Sequence, residues 1–267
     1  MPDRSTHMPP HALPLVGAAG WTIGRVDLWI ASISSHGDEH TLSRCRSILA
    51  ADEIARAERF RREDDRRRFV LTRGWLRSLL GGYLAQPPER VPLTTRCVCG
   101  RPGCTPSRQK PEIAAPDGAQ APLRFNVSHS GDVALLAFSL GREVGVDVER
   151  LEDRDWRALA EVALAPRDAR YILDLTADRG RRAFFDAWAR KEALLKASGH
   201  GLVLRSTDLD GLAGESSPPP VRAWGSTWYL TDLPGLPGGY AAALALEGVH
   251  PRLEIRPAVN PLTSLAP

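Results

Sequence analysis

Apolar and polar positions alternate from Arg25 to Ala31, the period-two signature of a half-buried strand. Asp52 to Phe60 follows with helical spacing as a short amphipathic segment, and Asp65 to Leu80 is a longer one with Phe69, Leu76 and Leu80 on one face. The same succession returns further along. Arg142 to Glu149 predicts a strand, Pro166 to Leu175 a short helix with proline at its start, and Arg181 to Ser198 a longer helix. Arg25 to Arg142, Asp52 to Arg167 and Arg66 to Arg182 are separated by 117, 115 and 116 residues. That constancy predicts an α/β (α+β) chain of two pseudo-twofold-related halves, with the ligand site at their junction.

Proline and glycine mark the boundaries. Residues 1–20 hold four prolines and lack the charged-then-apolar layout of a secretory signal, so they read as a flexible leader. The first half then spans 21–140 and the second 141–250, and the proline-rich 251–267 reads as a flexible tail. Gln86 to Pro122, which holds three of the four cysteines, and Gly211 to Pro220 read as long loops.

Composition narrows the class. The 267 residues are 43% hydrophobic and 25% charged, which allows a sizeable core and excludes a wholly disordered chain or a fibrous rod. A net charge of +3 is too small for a polyanion binder acting through bulk charge, so any anion site must be local. Four cysteines are too sparse for a disulfide framework. No apolar run approaches the roughly 18 residues of a membrane span, and the expected location is cytoplasmic.

Candidate chemistry lies first in FSLGREVGVDVE, Phe138 to Glu149. Val133 to Phe138 and the segment after the Gly141–Arg142 turn form a predicted hairpin. On the returning strand Val144, Val146 and Val148 share one face, and Gly145, Asp147 and Glu149 share the other. Two carboxylates two residues apart suit a hard cation such as Mg²⁺, although a solvated acidic face has the same pattern. The helix Arg181 to Ser198 adds a third carboxylate: at about 100° per residue, Glu192 falls inside the apolar stripe of Phe184, Trp188 and Leu195. An ordinary pair with Lys196 would explain its partner and not its position. Facing Asp147 and Glu149, Glu192 would complete a Mg²⁺ site with lysine at its rim for phosphate charge, Lys196 and Lys191 being the candidates.

FNVSHSG, Phe125 to Gly131, predicts a short strand ending in a polar turn. Ser128 and His129 point apart on a strand, and no G-x-S-x-G elbow exists, so a Ser–His hydrolase is a poor fit. His129 beside a cation site suits donation to a phosphate oxygen. Arg56 to Arg73 carries eight arginines interleaved with acids; ion pairing explains most of them, and two or three remain for a phosphate. Cys97, Cys99 and Cys104 lack the paired spacing and nearby histidine of a zinc site and read as free thiols.

The blocks FNVSHSG, GVDVE and WARKEALLKASGHGL occur in an order and spacing that resemble the Sfp-type 4′-phosphopantetheinyl transferases. Lys110-Pro111 is similar to that family's G-K-P, with Gln109 in place of glycine, and Glu53 and Arg56 stand where the family often has lysines. The resemblance implies a monomer that binds coenzyme A between two similar halves. It implies Mg²⁺, with Mn²⁺ as a substitute, held on the pyrophosphate by Asp147, Glu149 and Glu192 in the second half, with His129 and Lys196 on phosphate oxygens and Lys191 as a further candidate coenzyme A contact. Arg56, Lys110 and Ser128 would bind the 3′-phosphate nucleotide end. The serine of an acyl or peptidyl carrier protein would attack the phosphorus that bears the pantetheine arm and release adenosine 3′,5′-bisphosphate. Glu192 is the first candidate for the serine proton, with Lys191 or a metal-bound hydroxide as others. Carriers of polyketide, nonribosomal peptide, fatty-acid or lysine pathways all fit, and Gly199 to Leu204 would offer them an apolar patch. Two rival readings are a nucleic-acid-binding module built on Arg56 to Arg73, against which the near-neutral charge weighs, and an inactive relative that only docks carriers. Neither nucleic acid nor membrane is expected as a partner.

Overall fold

The computed structural model describes residues 21–96, 110–114, 121–200, 209–214 and 218–256. The alternating segment near the N-terminus forms strand β1 (Arg25–Ser32), followed by four helices, α1 (Ile33–His36), α2 (Glu39–Ser47), α3 (Ala51–Glu58) and α4 (Glu63–Leu84). Next come β2 (Leu93–Arg96), β3 (Lys110–Ile113), β4 (Leu123–Ser130) and β5 (Val133–Leu140). The second half opens on β6 (Val144–Arg150) and continues through α5 (Trp156–Ala163), α6 (Pro166–Leu173) and α7 (Ala177–Ser198). It closes with β7 (Val221–Ala223), β8 (Ser226–Asp232) and β9 (Tyr240–Glu247), before β10 (Arg252–Arg256).

The two four-stranded sheets run β10-β1-β5-β4 and β6-β9-β8-β7. In each, the opening strand pairs antiparallel with the last strand of its half, β1 with β5 and β6 with β9, and each half has one 22-residue helix, α4 and α7. The repeated plan read from spacing is therefore repeated in the topology. Three apolar cores separate four layers. Helix α4 packs through Trp75, Leu76 and Leu80 on Leu136 and Phe138 of the first sheet. Val26, Leu28 and Leu135 meet Val144, Val146 and Val148 between the sheets. Phe184, Leu194 and Leu195 of α7 cover the alanine-rich Ala241, Ala243 and Ala245 of β9.

Four expectations change. The predicted hairpin of Val133–Phe138 with the strand after Gly141–Arg142 does not form: β5 pairs with β1 and β4, and β6 pairs with β9 in the other sheet, so the turn carries the chain from one sheet to the next and the valine face of β6 packs between the sheets. Gln86 to Pro122 is not wholly a loop, because β2 and β3 within it pair antiparallel from Leu93↔Ile113 to Arg96↔Lys110. Helices α2 and α5 are not legible from the pattern: α2 has only Thr41 and Cys45 buried, and such a sparse stripe gives little periodicity. The tail does not fray from Pro251, since Arg252–Arg256 lies parallel to β1, where backbone pairing with an edge strand outweighs weak local preference. The leader 1–20, Cys97, Cys99 and Cys104 lie outside the described residues, as does most of Gly199 to Leu204. Cys45 is buried, and that burial pushes its thiol up to about 12. Among the described residues, no helix is long and apolar enough to cross a membrane.

Candidate functional site

Helix α7 reaches β6 closely because Gly145 has no side chain: a Cβ there would collide with the Ala193 carbonyl and the Ala197 amide. Ala193 and Ala197 are themselves small and fully buried, so strand and helix approach over this stretch. The approach brings Trp188, Glu192 and Lys196 of α7 over the Gly145, Asp147 and Glu149 face of β6. Trp188 Nε1 donates to Glu149 Oε1 at 3.1 Å, and Lys196 Nζ donates to Asp147 Oδ1 at 2.5 Å. Glu192 thus does not draw Lys196 into a simple pair along the helix.

The three carboxylates repel one another inside a poorly hydrated space. Asp147 is 3% exposed and Glu192 8%. Burial first, then the Asp147 charge, raises Glu192 to about 7, with Lys196 and Lys191 opposing and Glu149 adding to the rise. Glu149 is also raised, by burial and then by Asp147. Asp147 Oδ2 and Glu192 Oε1 are buried without a hydrogen-bond partner. Buried carboxylate oxygens without donors are unfavourable unless a cation satisfies them, so the donor set fits a hard divalent ion. Among the described residues no three acidic, histidine or cysteine side chains converge tightly enough to form a metal cluster, so the carboxylates are neighbours whose oxygens do not meet at one point.

Strand β4 forms the opposite wall. Its Ser128 hydroxyl donates to Asp147 Oδ1 at 2.9 Å and accepts from Lys196 Nζ at 2.9 Å. The next residue, His129, points to the other face of the strand, where it lines a recess of about 160 Å³ with Arg56, Phe69, Arg73 and Asn126. His129 is an exposed residue at the mouth of this recess. The protein packed around it and the Lys196 and Arg68 charges lower its pKa, so it is neutral at pH 7. Arg68 Nε donates to the Gly131 carbonyl at 3.1 Å and braces the turn that carries His129.

That recess continues into a larger one of about 720 Å³, lined by Arg56, Arg59, Phe69, Arg73, Thr94 and Thr95 among others. Arg56 and Arg73 lie over the Phe69 ring, 5.3 and 5.7 Å from its centroid. Arg73 does not stand out in the sequence, where it is one arginine among eight; its place on α4 one turn beyond Phe69 is the only signal that could have found it. Much of the rest of that run is ion-paired: Arg66 with Glu63 and Arg68 with Asp65, as the interleaved acids predict, and Arg67 with Glu39 of α2. Glu53 is buried, receives Arg77 Nε at 2.5 Å and lies 3.6 Å from Arg73, so it sets the arginines and is not itself an anion contact.

Two predicted contacts are not brought to this cleft. Lys110 Nζ is buried and donates to Glu143 Oε2 at 2.6 Å, Ala197 O at 3.0 Å and Val144 O at 3.3 Å, tying β3 to the end of α7. Lys191 Nζ donates to the Ala163 carbonyl at 2.6 Å, at the C-terminus of α5, where a cation complements the helix dipole. Burial lowers the Lys191 pKa, with Glu192 opposing. Both lysines hold elements together. Helix α7 stops at Gly199, whose φ of 78° lies in the left-handed region that glycine adopts without strain.

Two family models divide the chain near the β5–β6 turn: "4'-phosphopantetheinyl transferase, N-terminal" matches residues 36–140 and "4'-phosphopantetheinyl transferase superfamily" matches 143–245. The chain is 37% identical over 178 residues to the 4'-phosphopantetheinyl transferase HetI of Nostoc sp., covering 66% of this chain and 70% of that one. It is 30% identical to the 4'-phosphopantetheinyl transferase psf-1 of Bacillus pumilus, over 60% of this chain and 62% of the other. A third relative, the 4'-phosphopantetheinyl transferase AcpT of Salmonella typhi, is 40% identical over 30% of this chain and 43% of its own.

Proposed function

The chain belongs to the 4′-phosphopantetheinyl transferase family, and from that membership we propose that it carries the 4′-phosphopantetheine arm of coenzyme A to a serine hydroxyl of an apo acyl or peptidyl carrier protein. Adenosine 3′,5′-bisphosphate is the other product. The observation that carries this reading is the pair of partnerless buried oxygens, Asp147 Oδ2 and Glu192 Oε1, with Lys196 Nζ on the other Asp147 oxygen.

Asp147, Glu149 and Glu192 would hold the divalent ion, Mg²⁺ or Mn²⁺, which when bound neutralises pyrophosphate charge and polarises the phosphorus. The recess on α3 and α4 takes the nucleotide end. Arg56 and Arg73, both against Phe69, supply guanidinium forks for the 3′-phosphate. Lys196, on Asp147 and Ser128, and neutral His129, in the wall of that recess, orient the pyrophosphate oxygens. Ser128 keeps Lys196 and Asp147 in register. Glu192 takes the serine proton as oxygen attacks phosphorus. Lys191 is not available for that role because its ammonium is bound at Ala163. The protein's contribution is alignment of two substrates and charge placement, as in other phosphoryl transfers. The enzyme acts as a monomer in this reading, with domain limits near residue 140 between the halves.

The test is intact-mass spectrometry of an apo carrier protein incubated with the chain, coenzyme A and Mg²⁺, with an EDTA control. A metal-dependent gain of one phosphopantetheine is expected. No gain across polyketide, nonribosomal peptide and fatty-acid carriers, with the protein folded and coenzyme A bound, would instead favour a relative that only docks carriers.

A further inference from the structure

Strand β6 is an edge strand: β9 occupies one side, and the amides facing away from β9 have no strand to pair with. They are received by side chains of β4. Val146 N donates to Asn126 Oδ1 at 3.0 Å, Val148 N to Ser128 Oγ at 3.3 Å and Arg150 N to Ser130 Oγ at 3.1 Å. Every second residue of β4 therefore pairs with every second residue of β6 at a constant separation of 20. This ladder joins the two halves and satisfies an otherwise unpaired row of donors.

The serines do more than satisfy the edge. A hydroxyl that accepts an amide still has one proton to give, and the amide direction limits where that proton can point. Ser128 gives its proton to Asp147 and Ser130 gives its own to Glu149 Oε2 at 3.4 Å. In each case the carboxylate is the residue just before the amide that the serine holds. Glu149 is thereby held by Ser130 from the first half and by Trp188 from α7 in the second. Trp188 holds Oε1 and Ser130 reaches Oε2 by a long contact, so the two carboxylate oxygens are addressed from both sides of the junction.

We propose that Ser130 is a positioning residue for the metal site, orienting Glu149 as a ligand from across the junction of the halves. The inference rests on the reading of Asp147, Glu149 and Glu192 as metal ligands. Hydrogen-bonding partners of metal ligands commonly change metal affinity by about 10- to 100-fold when removed.

The test is Mn²⁺ binding, followed by electron paramagnetic resonance with coenzyme A present, in the full chain and in Ser130→Ala, Ser130→Thr and Ser130→Cys. Ser130→Ala is expected to raise the Mn²⁺ dissociation constant about 10-fold, with the Mg²⁺ concentration for half-maximal turnover rising in parallel. The KM for coenzyme A at saturating Mg²⁺ should stay unchanged. Ser130→Thr, which keeps the hydroxyl, should restore wild-type affinity, and Ser130→Cys, nearly the same size with a weak donor, should resemble the alanine variant if that one folds poorly. Unchanged Mn²⁺ affinity in folded Ser130→Ala or Ser130→Cys would overturn the Ser130 assignment and leave the metal site standing. A wild-type chain that binds no Mn²⁺ with coenzyme A present would overturn the metal site and the assignment together.

Discussion

Lys196 Nζ sits 2.5 Å from Asp147 Oδ1, a contact between the last turn of α7 and the centre of β6. Asp147 is buried, whereas the lysine keeps 29% of its side chain exposed, so the ammonium offsets a buried carboxylate from a side chain that solvent and substrate can reach. Lys196→Met should therefore lower kcat/KM for coenzyme A by about 10- to 100-fold, the worth of roughly 1.5–3 kcal/mol for a hydrogen bond to a charged group. Steady-state kinetics on a carrier substrate checks this. An unchanged kcat/KM would remove Lys196 from the phosphate path.

Glu192 makes stability depend on pH. Burial and the neighbouring Asp147 charge raise its carboxyl from the ordinary 4.5 to about 7, so the folded state holds the proton more tightly than the unfolded chain does. In the metal-free protein the resulting stabilisation is present below about pH 4.5 and is lost as pH rises through about 7, a fall of about 3 kcal/mol from this group. Urea unfolding in EDTA at pH 5 and pH 8 should show Glu192→Gln losing most of that pH dependence. The same variant should fold normally and turn over no substrate at saturating Mg²⁺; normal turnover would refute the role assigned to this carboxylate.

Gly145 permits the approach that places Glu192 over Asp147. The Cβ of Gly145→Ala would press on the backbone of Ala193 and Ala197, neither of which is the flexible end of a side chain. The expected cost is about 3 kcal/mol, the upper part of the range for overpacked cores, read as a lower urea midpoint with an unchanged slope. Wild-type stability in this variant would mean that α7 sits further from β6 than described.

Arg56 and Arg73 converge on one ring and should act on one ligand group. Arg56→Ala and Arg73→Ala should each raise the KM for coenzyme A about 10-fold and the KM for 3′-dephospho-coenzyme A much less. Arg73→Ala leaves Glu53 paired with Arg77, so folding is retained. Equal effects on both substrates would show that neither arginine reads the 3′-phosphate.

By itself the sequence determined the repeated order of elements, the division of β6 into a valine face and an acidic face, and the anomalous place of Glu192 in an apolar stripe. Each of these follows from short-range periodicity, which a chain carries in its local spacing whatever surrounds it. The tertiary structure decided what the side chains meet. It turned Lys110 and Lys191 from expected phosphate contacts into ties on Glu143 and Ala163, and it drew Arg73 to Phe69. It also added β10 to the first-half sheet and laid β4 along β6, so that Ser128 and Ser130 address the carboxylates. A long side chain has several rotamers open to it, and which one wins depends on acceptors supplied by elements far away in the chain. The acceptor of Lys191, for example, is a helix-end carbonyl 28 residues earlier, a partner that local spacing does not encode.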